Sequence, residues 1–267
     1  MKTRLAHILF HRHLLWEFLR RDLQARYVGS AMGFFWSVIN PLILLIVYSV
    51  VFGFILQVPS PRLGGRAPSL DFAFYIFCGL LPWYAFQESL IRSTTCIIDN
   101  KHLIKQVRFP AKVLPAYITL SSLINQLIGT VILMAVMLIS RREFPVTFLA
   151  FPLVLFLELV FFFGTGLLFA TLNTYLRDIA PLMSIATLVM MWATPMFYEI
   201  DIVPPAWRPV LYANPLTYMI LIHHHLVLFN SWPPLGYWLV FTTVSGICFV
   251  LGYRIFTRCH PEFADLL

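Results

Sequence analysis

FLAFPLVLFLELVFFFGTGLLFATL, residues 148–172, is 25 residues long and holds one ionisable side chain, Glu158. As a helix rising about 1.5 Å per residue it exceeds the roughly 30 Å of hydrocarbon in a bilayer. Five further apolar runs flank it, at 34–56, 72–92, 117–139, 180–198 and 236–256. The whole chain is 60% hydrophobic and 12% charged, against about 25% charged in soluble domains. Its mean hydropathy is +0.80. The runs are continuous rather than alternating, which argues against a membrane β-barrel. The sequence therefore predicts an all-α integral membrane protein with six transmembrane helices. The transmembrane domain is 34–258, between an N-terminal segment, 1–33, and a short tail, 259–267.

The net charge is +7, and the placement of the cations argues for a membrane rather than nucleic acid. With the N-terminus inside, the inner segments hold 14 of the 19 Lys and Arg and the outer ones 5, namely Arg62, Arg66, Arg141, Arg142 and Arg208. The excess of positive charge marks the cytoplasmic side, so both termini are expected there. Residues 8–28 read as an amphipathic helix lying in the interface, with a soluble surface helix packed on a neighbouring subunit as the other reading. Leu15, Trp16, Leu19, Leu23 and Tyr27 share one face, Glu17, Arg20, Arg21 and Gln24 the opposite one, and Arg26 intrudes on the apolar edge. No cleavable signal peptide is expected.

Proline shapes two regions. Pro82 lies within the second run, where it removes a backbone hydrogen bond and favours a kink. Between the fifth and sixth runs stand Pro204, Pro205, Pro209 and Pro215, followed by an apolar piece, Leu216–Phe229, too short for a comfortable crossing. This region is expected to form a re-entrant or surface-lying helical hairpin. The inner loop 93–116 is basic and carries a short helix before Pro110, while 173–180 is a tight polar turn.

Chemistry is sparse. A P-loop needs a lysine preceded by glycine to hold phosphates, and none of the four lysines follows one. The four cysteines show no disulfide or metal spacing. His223, His224 and His225 are consecutive, so on a helix they diverge rather than converge on a metal. Glu158 sits mid-span, where a carboxylate either serves function or bonds a neighbour such as Asn125 or Gln126. For Glu88, near an inner helix end from which it can snorkel to the interface, a bond to a neighbouring helix rather than a functional role is expected. The aromatics suit interfacial belts at Trp83, Tyr84, Trp207, Trp232 and Trp238. They also suit a surface on which sugar rings slide.

Several motifs, taken in order, carry a resemblance. These are Arg21-Asp22-Leu23-Gln24-Ala25-Arg26-Tyr27 before Gly33-Phe34-Phe35-Trp36 and Asn40-Pro41, then Gly79-Leu80-Leu81-Pro82-Trp83, then Thr171 to Ile179. Thr194-Pro195-Met196-Phe197-Tyr198, Pro204-Pro205 and Tyr212-Ala213-Asn214-Pro215-Leu216 follow. Together they resemble the membrane subunits of ABC-2 exporters of lipid-linked polysaccharide, the Wzm-type O-antigen permeases and their capsule and teichoic acid relatives. The resemblance implies a homodimer in the bacterial inner membrane, with two copies of a separate ATPase binding ATP and Mg. It implies ATPase coupling through Asp99, Lys101, His102, Lys105 and Arg108, with Arg177 and Asp178 as a second contact or a local helix-cap pair. It makes Trp16, Arg20, Arg21 and Arg26 the headgroup-facing residues of the interface helix. Trp36, Trp83, Tyr84, Phe86 and Trp192 become the candidate glycan path, and Pro204, Pro205, Trp207, Asn214 and Pro215 the external gate.

Two other readings compete. One is an ABC-2 exporter of a small lipid or drug. The other is an ion-coupled secondary carrier, which calls for several buried ionisable groups and often an inverted repeat; two carboxylates and no repeat are visible. A membrane enzyme would need an acid–base or metal cluster, and none stands out. Purified alone, the chain should hydrolyse ATP no faster than a buffer blank in a phosphate-release assay. Turnover by the lone chain would contradict this reading.

Overall fold

A computed structural model describes residues 2–26, 35–56, 71–105, 109–141 and 144–267. Tyr27, Gly33, Phe34, Arg62, Arg66, Arg108 and Arg142 lie outside the described residues. Among those described there is no β-strand. The chain opens with α1 (Lys2–Ala25) and α2 (Trp36–Tyr48), which runs on as a π-helical segment, Ser49–Ile55. Next come α3 (Asp71–Asp99), a short α4 (Lys101–Ile104) and α5 (Val113–Arg141). A 3-10 turn leads into α6 (Phe151–Tyr175), followed by α7 (Ile179–Trp192). Then follow α8 (Arg208–Ala213), α9 (Pro215–His223) with a π-helical extension to Leu228, α10 (Leu235–Cys259) and a terminal turn, α11 (Phe263–Leu266).

Among the described residues three helices are long and apolar enough to cross a membrane: Val113–Ser140, Val146–Tyr175 and Leu235–Leu266. They fall on the predicted runs 117–139, 148–172 and 236–256. Shorter apolar helices are Val38–Phe52, Ile179–Trp192 and Pro215–Leu228. The fifth run differs from expectation. Its helix stops at Trp192 after 14 residues, about 21 Å at helical rise. Pro195 lacks an N–H and disfavours helix at Thr194 before it, so 193–198 folds as turns. The second run is longer than expected, since α3 passes through Pro82 and continues to Asp99.

α3 is the hub of the bundle, packing on α2, α5, α6, α7 and α9. All its residues from Phe72 to Leu80 are buried. α6 and α10 form the most extensive helix pair, and glycine sets their approach. A Cβ on Gly252 would stand 2.0 Å from the Gly164 carbonyl oxygen, and one on Gly164 would stand 2.5 Å from the Phe249 backbone. Such small-residue crossings bring backbones into van der Waals contact where lipid supplies no hydrophobic drive.

A second core lies at the end of the bundle that carries α1 and α4. Cys96, Ile97, Leu114, Ile118, Leu167, Phe256 and Phe263 cluster there, with Phe18 and Ile104 packed against them. The segment expected to be a tail is thus built in. Phe263 is fully buried, and its ring meets Phe256 edge-on at 5.3 Å.

Gly252→Ala should therefore lower the thermal unfolding midpoint in detergent, at a cost of about 1–3 kcal/mol or more from overpacking. Gly246, with nothing within 4 Å of a built Cβ, should accept alanine without loss.

Candidate functional site

The face that α1 buries is not the one its apolar residues alone suggest. Leu15, Phe18, Leu19, Asp22 and Arg26 lie at i, i+3, i+4, i+7 and i+11, one stripe of a helix. Leu19 and Phe18 pack inward, while Trp16 is 59% exposed. Asp22 and Arg26 continue the stripe because they find partners. Asp22 pairs with Arg92 on α3 and accepts from Ser121 on α5 at 2.6 Å. Arg26 pairs with Asp22 at 3.3 Å and with Glu88, and donates to Ser121 at 3.0 Å. Arg92 reaches Glu88 at 2.9 Å. Two guanidiniums and two carboxylates thus close a neutral network joining α1, α3 and α5.

Glu88 thus bridges Arg26 and Arg92. Arg26, expected among the headgroup-facing residues, turns to these partners and stays partly exposed. Burial by itself would raise the Asp22 carboxyl. Hydrogen bonds from Arg92 and Ser121, with the charges of Arg92 and Arg26, outweigh it and hold the group below its ordinary 3.8.

Beside this network α2, α3 and α5 enclose a cavity of about 330 Å³. Trp36 and Tyr84 supply aromatic faces, and Asn40, Asn125 and Gln126 supply amides. Only these two members of the expected glycan path come together. Trp83 is fully buried, and Phe86 stacks on Phe161 at 5.5 Å. Both belong to the apolar core, because α3 is surrounded on nearly every side. Trp83 therefore leaves the interfacial belt as well. Trp192, 61% exposed, sits on the outer face of α7 against Phe197.

Deeper in the bundle, Gln126 donates to Glu158 at 2.8 Å, one of the two bonds weighed for that carboxylate. His223 joins them from α9. Its Nδ1 donates to the Met219 carbonyl at 2.9 Å, and its Nε2 lies 3.2 Å from Gln126 and 3.4 Å from Glu158. The other two histidines diverge, as consecutive helical residues must. His224 donates to the Tyr75 carbonyl at 3.0 Å, and His225 meets the Ser231 hydroxyl at 2.8 Å. The polar triad therefore ties α9 to α5 and α6.

The remaining expected residues lie at the two ends. Asp99, Lys101, His102 and Lys105 are exposed on and around α4. Arg177 and Asp178 are exposed at the α6–α7 turn. Asp178 makes no side-chain cap; Asn173 does that work, accepting from Ala180 N at 3.1 Å. Arg20 and Arg21 face outward. At the opposite end Pro204, Pro205 and Trp207 are exposed. Asn214 caps α9 through the Leu216 N–H at 3.0 Å and reaches the Thr194 hydroxyl at 3.0 Å, with Pro215 starting the helix. Sequence reading missed Asp22 and Arg92 as a pair and the inward docking of Phe263. A charged i, i+4 pair on the apolar stripe of α1, Asp22 and Arg26, was the signal available for the first.

An all-helical chain of this kind, with an interface-type helix bolted to apolar spans and a polar cavity beside the bolt, is a membrane transport subunit. It belongs to the ABC-2 type transporter family, whose model matches residues 13–223. It is similar to the O-antigen export system permease protein RfbA of Klebsiella pneumoniae, at 27% identity over 255 residues and 95% of each chain. A protein of the same name from Myxococcus xanthus is 28% identical over 258 residues, 96% of this chain and 95% of the relative. The polysialic acid transport protein KpsM of Escherichia coli is 22% identical over 241 residues, 88% of this chain and 90% of the relative.

Removing one charge from the network should destabilise the fold. Asp22→Asn or Glu88→Gln should cost about 1–3 kcal/mol, between the values for exposed and buried pairs. Since Asp22 titrates lower in the folded chain than its ordinary value, its contribution is complete above about pH 4 and is lost as pH falls through the folded value. Unfolding midpoints measured from neutral to acid pH should therefore show a smaller acid-induced loss in Asp22→Asn than in the wild type.

Proposed function

We propose that this chain is the membrane-spanning permease of an ATP-driven ABC exporter that moves lipid-linked polysaccharide of the O-antigen type across a bacterial inner membrane. The observation that carries the reading is the end-to-end likeness to O-antigen permeases over 95% of the chain. The cavity supports it chemically, because aromatic faces and amides are what a sugar chain needs from a wall it must slip past. This makes Trp36 and Tyr84, with Asn125 and Gln126, the glycan-facing group.

In this reading the chain crosses six times, with both termini in the cytoplasm. α2, α3, α5, α6, α7 and α10 are the crossings, flanked by the interface segment 1–33 and the terminal segment 259–267. The pair α8 and α9 forms a re-entrant hairpin that gates the external side, with Pro204, Pro205 and Trp207 at its rim and Asn214 and Pro215 at its hinge. Exposed apolar faces on α2 (Ile43, Ile46, Val50) and α7 (Ile185, Leu188, Val189) supply the seam between two copies. The chain is not itself an enzyme, and two copies of a separate subunit bind ATP and Mg. That subunit docks on α4 through Asp99, Lys101, His102 and Lys105, with Arg177 and Asp178 beside it. Its closure pushes α4. The Asp22–Arg26–Glu88–Arg92 network makes α1 and the ends of α3 and α5 respond as one body, which tilts the spans and opens a path at the seam.

Arg20 and Arg21, free of the network, stand where an anchor phosphate would meet a basic interface helix. Replacing both with Ala should cut cell-surface polysaccharide several-fold while the ATPase still co-purifies with the permease. Unchanged export would remove these residues from the mechanism. Normal surface polysaccharide in a strain lacking the whole chain would favour the small-lipid or drug exporter.

A further inference from the structure

Two more cavities lie against α1. One, about 610 Å³, is walled by Leu15, Phe109, Val113, Ala116 and Phe163. Arg12, Lys112 and His260 stand on its lining as well. The other, about 760 Å³, is walled by Leu15, Trp16, Leu19 and Leu120, with Arg12 and His13 on its lining. They share Arg12 and Leu15. Among the described residues neither is lined by a carboxylate.

No described acid pairs with the lysine on the lining. Lys112 has an aromatic neighbour rather than an acid, its ammonium lying 3.9 Å above the Tyr253 ring. Glu262, on the same terminal segment as His260, turns to the Tyr175 hydroxyl. Burial and then the charge of Lys112 hold His260 below the ordinary histidine range.

From the two apolar cavities meeting at a common cation we infer a binding site for an anionic diacyl phospholipid. Its phosphate sits between Arg12 and Lys112, one acyl chain lies along Phe109–Ala116 and Phe163, and the second lies along Trp16, Leu19 and Leu120. The two-cavity shape favours two chains over the single chain of a polyprenyl phosphate. Charge complementarity favours an anionic headgroup over a zwitterionic one, as at other basic sites next to a membrane. The lipid wedges α1 against the start of α5, the middle of α6 and the end of α10. The inference does not depend on the cargo.

The test is native mass spectrometry of the full chain in a neutral detergent. Dioleoyl phosphatidylglycerol is titrated in, alongside dioleoyl phosphatidylcholine, undecaprenyl phosphate and inorganic phosphate. Phosphatidylglycerol should bind at least tenfold tighter than phosphatidylcholine and resist displacement by the other two. Arg12→Ala with Lys112→Ala should weaken it about thirtyfold, the effect of losing two near-surface cations, while Arg12→Lys retains it. Ala116→Phe fills one cavity and leaves every charge in place, so it decides the matter should the double variant fail to fold; it should weaken binding at least fivefold. Equal binding of the two diacyl lipids overturns the site, as does undiminished binding by Ala116→Phe. Displacement by undecaprenyl phosphate at equal concentration would show an anchor site instead, and displacement by millimolar phosphate a simple anion site.

Discussion

Two arginines and two carboxylates, closed on one another with a serine hydroxyl, hold the interface helix to the bundle. Charges beside hydrocarbon are costly unless paired, and that cost gives the network its strength. Asp22 and Arg26 turn inward only because Glu88, Arg92 and Ser121 wait there. Their inward turn rotates α1, leaving Trp16, Arg20 and Arg21 outside. The face that α1 leaves exposed is therefore set by the ion network on its other face.

The same economy of polar groups recurs deeper in the bundle. Glu158 is fully buried, and Gln126 and His223 account for its surroundings. His223 bonds Gln126 of α5 and lies against Glu158 of α6, so a polar contact adds to the apolar packing that already fastens α9 into the core. Close approach of α6 and α10 at Gly164 and Gly252 supplies the packing that lipid cannot. A transport subunit needs such firm parts, because a push at one end is useful only when the intervening helices do not yield.

The amino-acid sequence carried the long elements plainly. α5, α6 and α10 lie where continuous apolar runs placed them, and the Gln126–Glu158 bond was among the partners that spacing allowed. The three histidines diverge because consecutive residues on a helix are about 100° apart. What hydropathy could not show was partner choice across the fold. Asp22 and Arg92 are 70 residues apart, and a charge that is paired at a distance reads in sequence like a charge that is solvated. Trp83 and Phe86 read as wall residues because nothing local reveals that α3 is surrounded. α7 is short for a local reason, Pro195, which a run of apolar residues conceals. Phe263 looked like part of a tail because nine residues carry too little pattern to show that they dock.

The central claim is that α1 and the inner ends of α3 and α5 move as one body when α4 is pushed. The most direct measurement is the distance between spin labels at Gln24, exposed on α1, and Thr95, partly exposed on α3 and outside the docking residues, in the assembled transporter with and without ATP. A single narrow distribution that keeps its mean in both states is predicted. A nucleotide-dependent separation of the two labels would show that the network opens during the cycle, and would contradict the account.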